Sequence, residues 1–149
     1  RNLTLMFNRY NVGMRYRDHI DAALMGPSQR EALRADLSFT VFLTDPATYE
    51  GGEFILHTPY GTQRIKRPAG SLICYPSTML HRVEEISAGS RWAAVGWIQS
   101  FVRDPAQRAL CHQMDRLRHR LVAELPAESD IPEEFGTVHQ NLLRMWAEL

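Results

Sequence analysis

The feature that most constrains the fold is a change of rhythm near residue 103. From Leu3 to Phe101 the chain is a succession of short runs rich in β-branched and aromatic residues, separated by Gly, Pro, Asp and Asn. Strands are expected over Leu3–Tyr10, Leu37–Leu43, Glu53–His57, Thr62–Lys66, Ser71–Tyr75, His81–Ile86 and Arg91–Gln99. Asp45-Pro46, Pro59-Tyr60-Gly61, Pro68-Ala69-Gly70 and Ser87–Ser90 read as the turns between them. Many short strands without intervening helices indicate a sandwich or barrel rather than a βαβ sheet.

Beyond Asp104-Pro105 the period changes. Ala109, Met114, Leu117, Leu121 and Val122 recur at helical spacing, which predicts a first helix from about Pro105 to Leu125. Pro126 and the acidic stretch Glu128–Glu134 read as a connection, and Phe135, Val138, Leu142, Leu143, Met145 and Trp146 mark a second helix. The division expected is therefore 1–103 as a β domain and 104–149 as amphipathic helices that support it. The chain opens on Arg1, not Met, with strand character already at Leu3, so a processed or truncated chain lacking an N-terminal portion is expected.

One triplet and two later residues stand out in the β region. In a strand, residues two apart share a face, so His19-Ile20-Asp21 can aim an imidazole and a carboxylate at one space. A distant His81 supplies a third ligand. Two His and one carboxylate are the facial set that holds non-haem Fe(II) with open positions. Arg91, ten residues after His81, is suited to an acid's carboxylate, because a planar guanidinium grips both oxygens whereas Lys offers a point charge. An H-x-D triplet by itself is a common chance pattern, and an ordinary surface ion pair is the bland account of Arg91.

The surroundings of these residues carry more information. Tyr10, Gly13, Tyr16, His19 and Asp21 form a Y-x-x-G-x-x-Y-x-x-H-x-D register, and Gly89-Ser90-Arg91-Trp92 follows His81. Together with Tyr49-Glu50-Gly51-Gly52-Glu53-Phe54, Pro68-Ala69-Gly70-Ser71-Leu72, Tyr75-Pro76-Ser77, Trp97-Ile98-Gln99-Ser100 and the tail Asn141–Trp146, this pattern resembles the prolyl-hydroxylase branch of the Fe(II)/2-oxoglutarate dioxygenases. Within that branch it is similar to the bacterial PKHD-type hydroxylases, also called iron-uptake factors.

The resemblance implies a mainly β fold with C-terminal helices around a double-stranded β-helix (jelly-roll) core. It implies Fe(2+) held by His19, Asp21 and His81, 2-oxoglutarate anchored by Arg91, and L-ascorbate as a reductant. The implied activity is hydroxylation of a C–H bond with decarboxylation of 2-oxoglutarate to succinate. Tyr10 is either a second donor to the distal carboxylate of 2-oxoglutarate or a packed strand tyrosine. Arg91 shares strand parity with Val95 and Trp97, which places Trp97 rather than Trp92 on the inner face.

Other readings of the same ligands stay open on residues alone: a zinc-dependent hydrolase, which has no use for Arg91, a cupin-type metalloprotein, or a jelly-roll that binds a metal or ligand without turnover. His57, His112, His119 and His139 have no complementary ligands in sequence and read as solvated or packed. Seventeen basic residues balance seventeen acidic ones, so no nucleic-acid or membrane partner is expected. Cys74 and Cys111 are far apart and form no disulfide framework, which suits a reducing cytoplasm. A small-molecule or peptide substrate is expected, with a homodimer as a further expectation. Substrate choice is assigned to loops such as Ala22–Arg34, where Gly26-Pro27-Ser28 reads as the turn of a lid.

Overall fold

The computed structural model describes residues 5–28 and 30–148. Its packing divides the chain into two compact units, Arg1–Gln99 and Ser100–Leu149.

The first unit is built from antiparallel strands: β1 (Met6–Asn11), β2 (Tyr16–His19), β3 (Leu24–Met25), β4 (Leu33–Arg34), β5 (Leu37–Phe42), β6 (Glu50–Gly51), β7 (Phe54–Thr58), β8 (Gly61–Ile65), β9 (Leu72–Pro76), β10 (His81–Val83), β11 (Ile86–Ala88) and β12 (Ser90–Ile98). One four-stranded sheet has the order β1-β12-β5-β9 and the other β2-β10-β7-β8; β6 pairs with β11 and β3 with β4. This is the expected jelly-roll. The start of the expected first strand, Leu3 and Thr4, lies outside the described residues.

The inner faces follow from strand alternation. Phe42 and Tyr75 from the first sheet meet Phe54 and Val83 from the second in one buried cluster, with Tyr10, Leu56, Ile65 and Ile73 packed against it. Full burial of a side chain such as Phe42 or Phe54 contributes roughly 2–3 kcal/mol from apolar area alone, so this layer fixes how the sheets face each other.

Three expectations are corrected here. The run His81–Ile86 is two strands, because β10 ends at Val83 and Glu84-Glu85 intervenes before Ile86 pairs with Gly51 in the separate β6–β11 ladder. The segment Ala22–Arg34 is not merely a lid loop: β3 and β4 form a hairpin in which Leu33 is buried with Ala35 and Trp97, with Met25 and Val95 packed against them. Gln29, within that segment, lies outside the described residues.

The third correction lies in the second unit, which holds α1 (Pro105–Glu124) and α2 (Ile131–Trp146). The Asp104 carboxylate caps α1 by accepting from the Gln107 N–H at 2.8 Å. Helix α2 begins at Ile131, inside the stretch expected to be a connection. Pro132 occupies its first turn, where no N–H is needed, and Glu133 and Glu134 sit at the positive end of its dipole. No helix among the described residues is long and apolar enough to cross a membrane.

Candidate metal and carboxylate site

The cross-strand register places the two histidines. His19 ends β2 and His81 begins β10, and these residues are direct partners in the ladder. The register shifts between His81↔His19 and Val83↔Tyr16, so three steps along β2 match two along β10. This bulge turns Tyr16 and His19 to the same side, where their rings lie 4.3 Å apart between centroids. Asp21 lies just beyond the strand, not on it as parity assumed, and is fixed by its own N–H bonded to the Ser77 carbonyl at 3.2 Å.

Each histidine is oriented by a carbonyl two residues before it. The His19 Nδ1 lies 2.8 Å from the Arg17 carbonyl and the His81 Nδ1 lies 2.9 Å from the Met79 carbonyl. A carbonyl only accepts, so both Nδ1 atoms carry the proton and both Nε2 atoms keep their lone pairs, that of His81 lying 3.4 Å from the Tyr75 hydroxyl. The His19 Nε2 is 3.8 Å and the His81 Nε2 3.9 Å from the Asp21 Oδ1. One ligand atom from each of the three residues falls within 4.8 Å of the others, and this is the one such group among the described residues. The chemistry of this donor set fits a divalent cation.

The neighbours hold these donors ready. Ser38 on β5 donates to the Asp21 Oδ2 at 2.5 Å and exchanges a 2.7 Å bond with Ser77, leaving Oδ1 to face the histidines. Burial, and to a smaller extent the neighbouring His19, pushes the His81 pKa below its ordinary value of 6.5, which keeps it neutral as a ligand must be. Tyr75 packs edge-on against the His81 ring at 5.0 Å, and burial drives its phenol pKa upward.

Arg91 lies on the inner face of β12, opposite Tyr10 of β1. It is 1% exposed, and its guanidinium sits over the Tyr10 and Phe42 rings at 5.5 and 5.4 Å. Among the described residues its Nε and Nη2 have no hydrogen-bond partner of good geometry and no carboxylate pairs with it; burial lowers its pKa, against the opposing pull of the Tyr49 and Tyr10 phenols. A buried guanidinium without an anion is costly, and a bidentate carboxylate is the group that completes it. Gly52 makes room for it: at φ +65° it has no Cβ, and one placed there would stand 3.2 Å from the Arg91 Cδ and collide with Ile86.

A cavity of about 950 Å³ is lined by His19, Asp21, His81, Tyr10 and Arg91, and by Val95 and Trp97. Thus the five residues singled out in the sequence share one space. The inward parity assigned to Trp97 also holds, since it is buried while Trp92 is 42% exposed. The supporting Ser38, Ser77, Tyr75 and Gly52 were not assigned roles from sequence. Ser77 and Gly52 lie in motifs noted above, but nothing in the run Leu37–Leu43 distinguishes Ser38 from any inward strand serine. His57, His112 and His119 are not part of the site; the His57 Nε2 instead bonds the Asp18 carboxylate at 3.1 Å.

The model of the 2OG-Fe(II) oxygenase superfamily matches residues 5–99, which is the whole β unit among the described residues. The chain belongs to this superfamily. Membership implies Fe(2+) and 2-oxoglutarate as the cofactor and cosubstrate of the superfamily. The chain is 48% identical over 145 residues to a PKHD-type hydroxylase of Thermosynechococcus vestitus, covering 97% of this chain and 64% of that protein. It is 46% identical over 154 residues to a PKHD-type hydroxylase of Methylobacterium nodulans, covering 100% of this chain and 66% of that protein. The chain therefore spans just under two thirds of the length of these relatives. Among solved structures, a Pseudomonas putida prolyl-4-hydroxylase aligns with a TM-score of 0.53 at 21% identity, over 66% of this chain and 53% of that one. That likeness concerns the fold, and it agrees with the superfamily's jelly-roll.

Proposed function

We propose that this protein is a dioxygenase that hydroxylates a C–H bond while 2-oxoglutarate is decarboxylated to succinate. His19, Asp21 and His81 hold Fe(2+) through Nε2, a carboxylate oxygen and Nε2, and Arg91, with Tyr10 beside it, receives the distal carboxylate of 2-oxoglutarate. The bound iron and cosubstrate supply the oxidising chemistry. The protein's own residues orient and shield: carbonyls of Arg17 and Met79 fix both imidazole tautomers, Ser38 fixes the carboxylate, and Val95 with Trp97 lines the space apolar.

One observation carries this reading: a three-donor cluster and an anion-deficient buried arginine open on the same cavity. A hydrolytic metal site has no use for that arginine. The substrate is a small molecule or a peptide, ascorbate serves as the reductant that restores oxidised iron, and the protein works in the cytoplasm, with a role in iron uptake and assembly as a homodimer part of the same reading. Nucleic acid and membrane are not partners. Succinate formation from 2-oxoglutarate with Fe(2+), with and without ascorbate, tests the proposal; activity persisting in His19→Ala would overturn the ligand assignment.

A further inference from the structure

The cavity has an unequal charge inventory. Its described lining includes four arginines, Arg9, Arg15, Arg17 and Arg91, and one carboxylate, that of Asp21. On the dioxygenase reading, which this inference rests on, the inner group is balanced: a dication, the Asp21 carboxylate, Arg91 and a dianionic cosubstrate cancel. The outer arginines are then left over. Arg15 has a counter-ion in Glu85 at 3.4 Å, but both side chains are more than half exposed and the pair is weak. Arg9 lies over the Trp92 ring at 5.3 Å and has no carboxylate partner, and Arg17 has no ion-pair or side-chain hydrogen-bond partner among the described residues. Alongside these cations the mouth exposes Met14, Tyr16 and Ile20.

We infer that the substrate oxidised here is anionic, with an apolar or aromatic body, and that its carboxylate or phosphate is met at the mouth by Arg15 and Arg17. Two exposed guanidinium groups beside an apolar wall attract such a molecule through water and then hold its charged end while its body reaches the metal cluster. A neutral or cationic substrate gains nothing from them. The Tyr16 ring in contact with His19 gives the apolar body a surface that leads inward.

The test uses a matched pair of dyes, the anionic 1-anilinonaphthalene-8-sulfonate and its uncharged parent N-phenyl-1-naphthylamine. Both are titrated by fluorescence into protein saturated with Mn(2+) and 2-oxoglutarate, whose own binding is first measured by calorimetry. The anionic dye should bind about tenfold tighter at low salt, the preference should fade toward 1 M salt, and Arg15→Gln/Arg17→Gln, which alters side chains only and keeps the Arg17 carbonyl that orients His19, should abolish it while leaving the neutral dye unaffected. Displacement of the anionic dye by benzoate or by phenyl phosphate then separates a carboxylate from a phosphate preference. Equal affinity for the two dyes, or a preference that survives the double substitution, overturns the inference alone. Failure of Mn(2+) and 2-oxoglutarate to bind overturns the dioxygenase reading and this inference with it.

Discussion

Replacing Arg91 by Met is expected to move stability and ligand binding in opposite directions. The guanidinium is 1% exposed, two of its nitrogens have no partner, and aromatic rings take the place of a counter-ion. Exchanging a buried charge for an apolar side chain of similar volume is neutral to stabilising by roughly 1–4 kcal/mol in known cases. Because Arg91 also borders the cavity, about 1–2 kcal/mol is the expected gain here. For a chain of this size that corresponds to a rise of about 2–8 °C in the melting temperature of the ligand-free protein.

Binding should change the other way. Two charge-assisted hydrogen bonds to a carboxylate, at roughly 1.5–3 kcal/mol each, are lost, and 2-oxoglutarate affinity should fall by about 10²–10⁴-fold. Mn(2+) affinity should be nearly unchanged, since Arg91 is not among the donors of the metal cluster. Thermal melts without ligand and calorimetry with Mn(2+) and then 2-oxoglutarate read both effects. A ligand-free variant markedly less stable than the parent, together with unchanged 2-oxoglutarate affinity, would show that Arg91 is a structural cation with a partner we have not recognised.

Four further outcomes are expected. Ser38→Ala removes the bond that reserves one Asp21 oxygen for the histidines, and Mn(2+) titration should show about tenfold weaker binding with the fold retained. Gly52→Ala forces a Cβ onto Ile86 at φ +65°, and urea unfolding should report a loss of at least about 2 kcal/mol; a neutral result would contradict the close approach of Ile86 and Arg91. Asp104→Ala removes the cap of α1 and should cost about 1 kcal/mol by the same measurement, with Asp104→Asn restoring most of it. For metal-free protein, His81 has a folded pKa below its ordinary 6.5, so its favourable contribution is complete above 6.5 and is lost as the pH falls through the lowered folded value. Urea midpoints that do not fall in that direction, once compared with His81→Gln, would sink this assignment.

Those residues also mark how far the sequence could be read. Strand content and the jelly-roll were legible because alternation and turn residues are local, and β5, β7, β9 and β12 lie within a residue or two of their expected limits. The inward side of Trp97 was legible for the same reason, parity with Arg91 along one strand. Tertiary pairing was not local. The bulge that turns Tyr16 and His19 to one side depends on how β2 meets β10, and the separate β11 exists because Gly51 is available opposite Ile86. Ser38 acquires its role only when β5 carries it to Asp21, seventeen residues away in the chain. The start of α2 was misplaced because acidic residues and Pro132 suit a loop and a helix's first turn equally.

The carbonyls that hold His19 and His81 have a consequence for how the site comes to exist. Each imidazole is aimed by the peptide group two residues earlier in its own segment, Arg17 for one and Met79 for the other. The donor halves are therefore self-contained, and annealing β2 to β10 needs only to set them side by side. A slip of one residue in that ladder would turn the imidazole to the opposite face and leave no shared centre. A metal bound there would then proofread strand alignment, since only the correctly registered chain offers two nitrogens and a carboxylate at once.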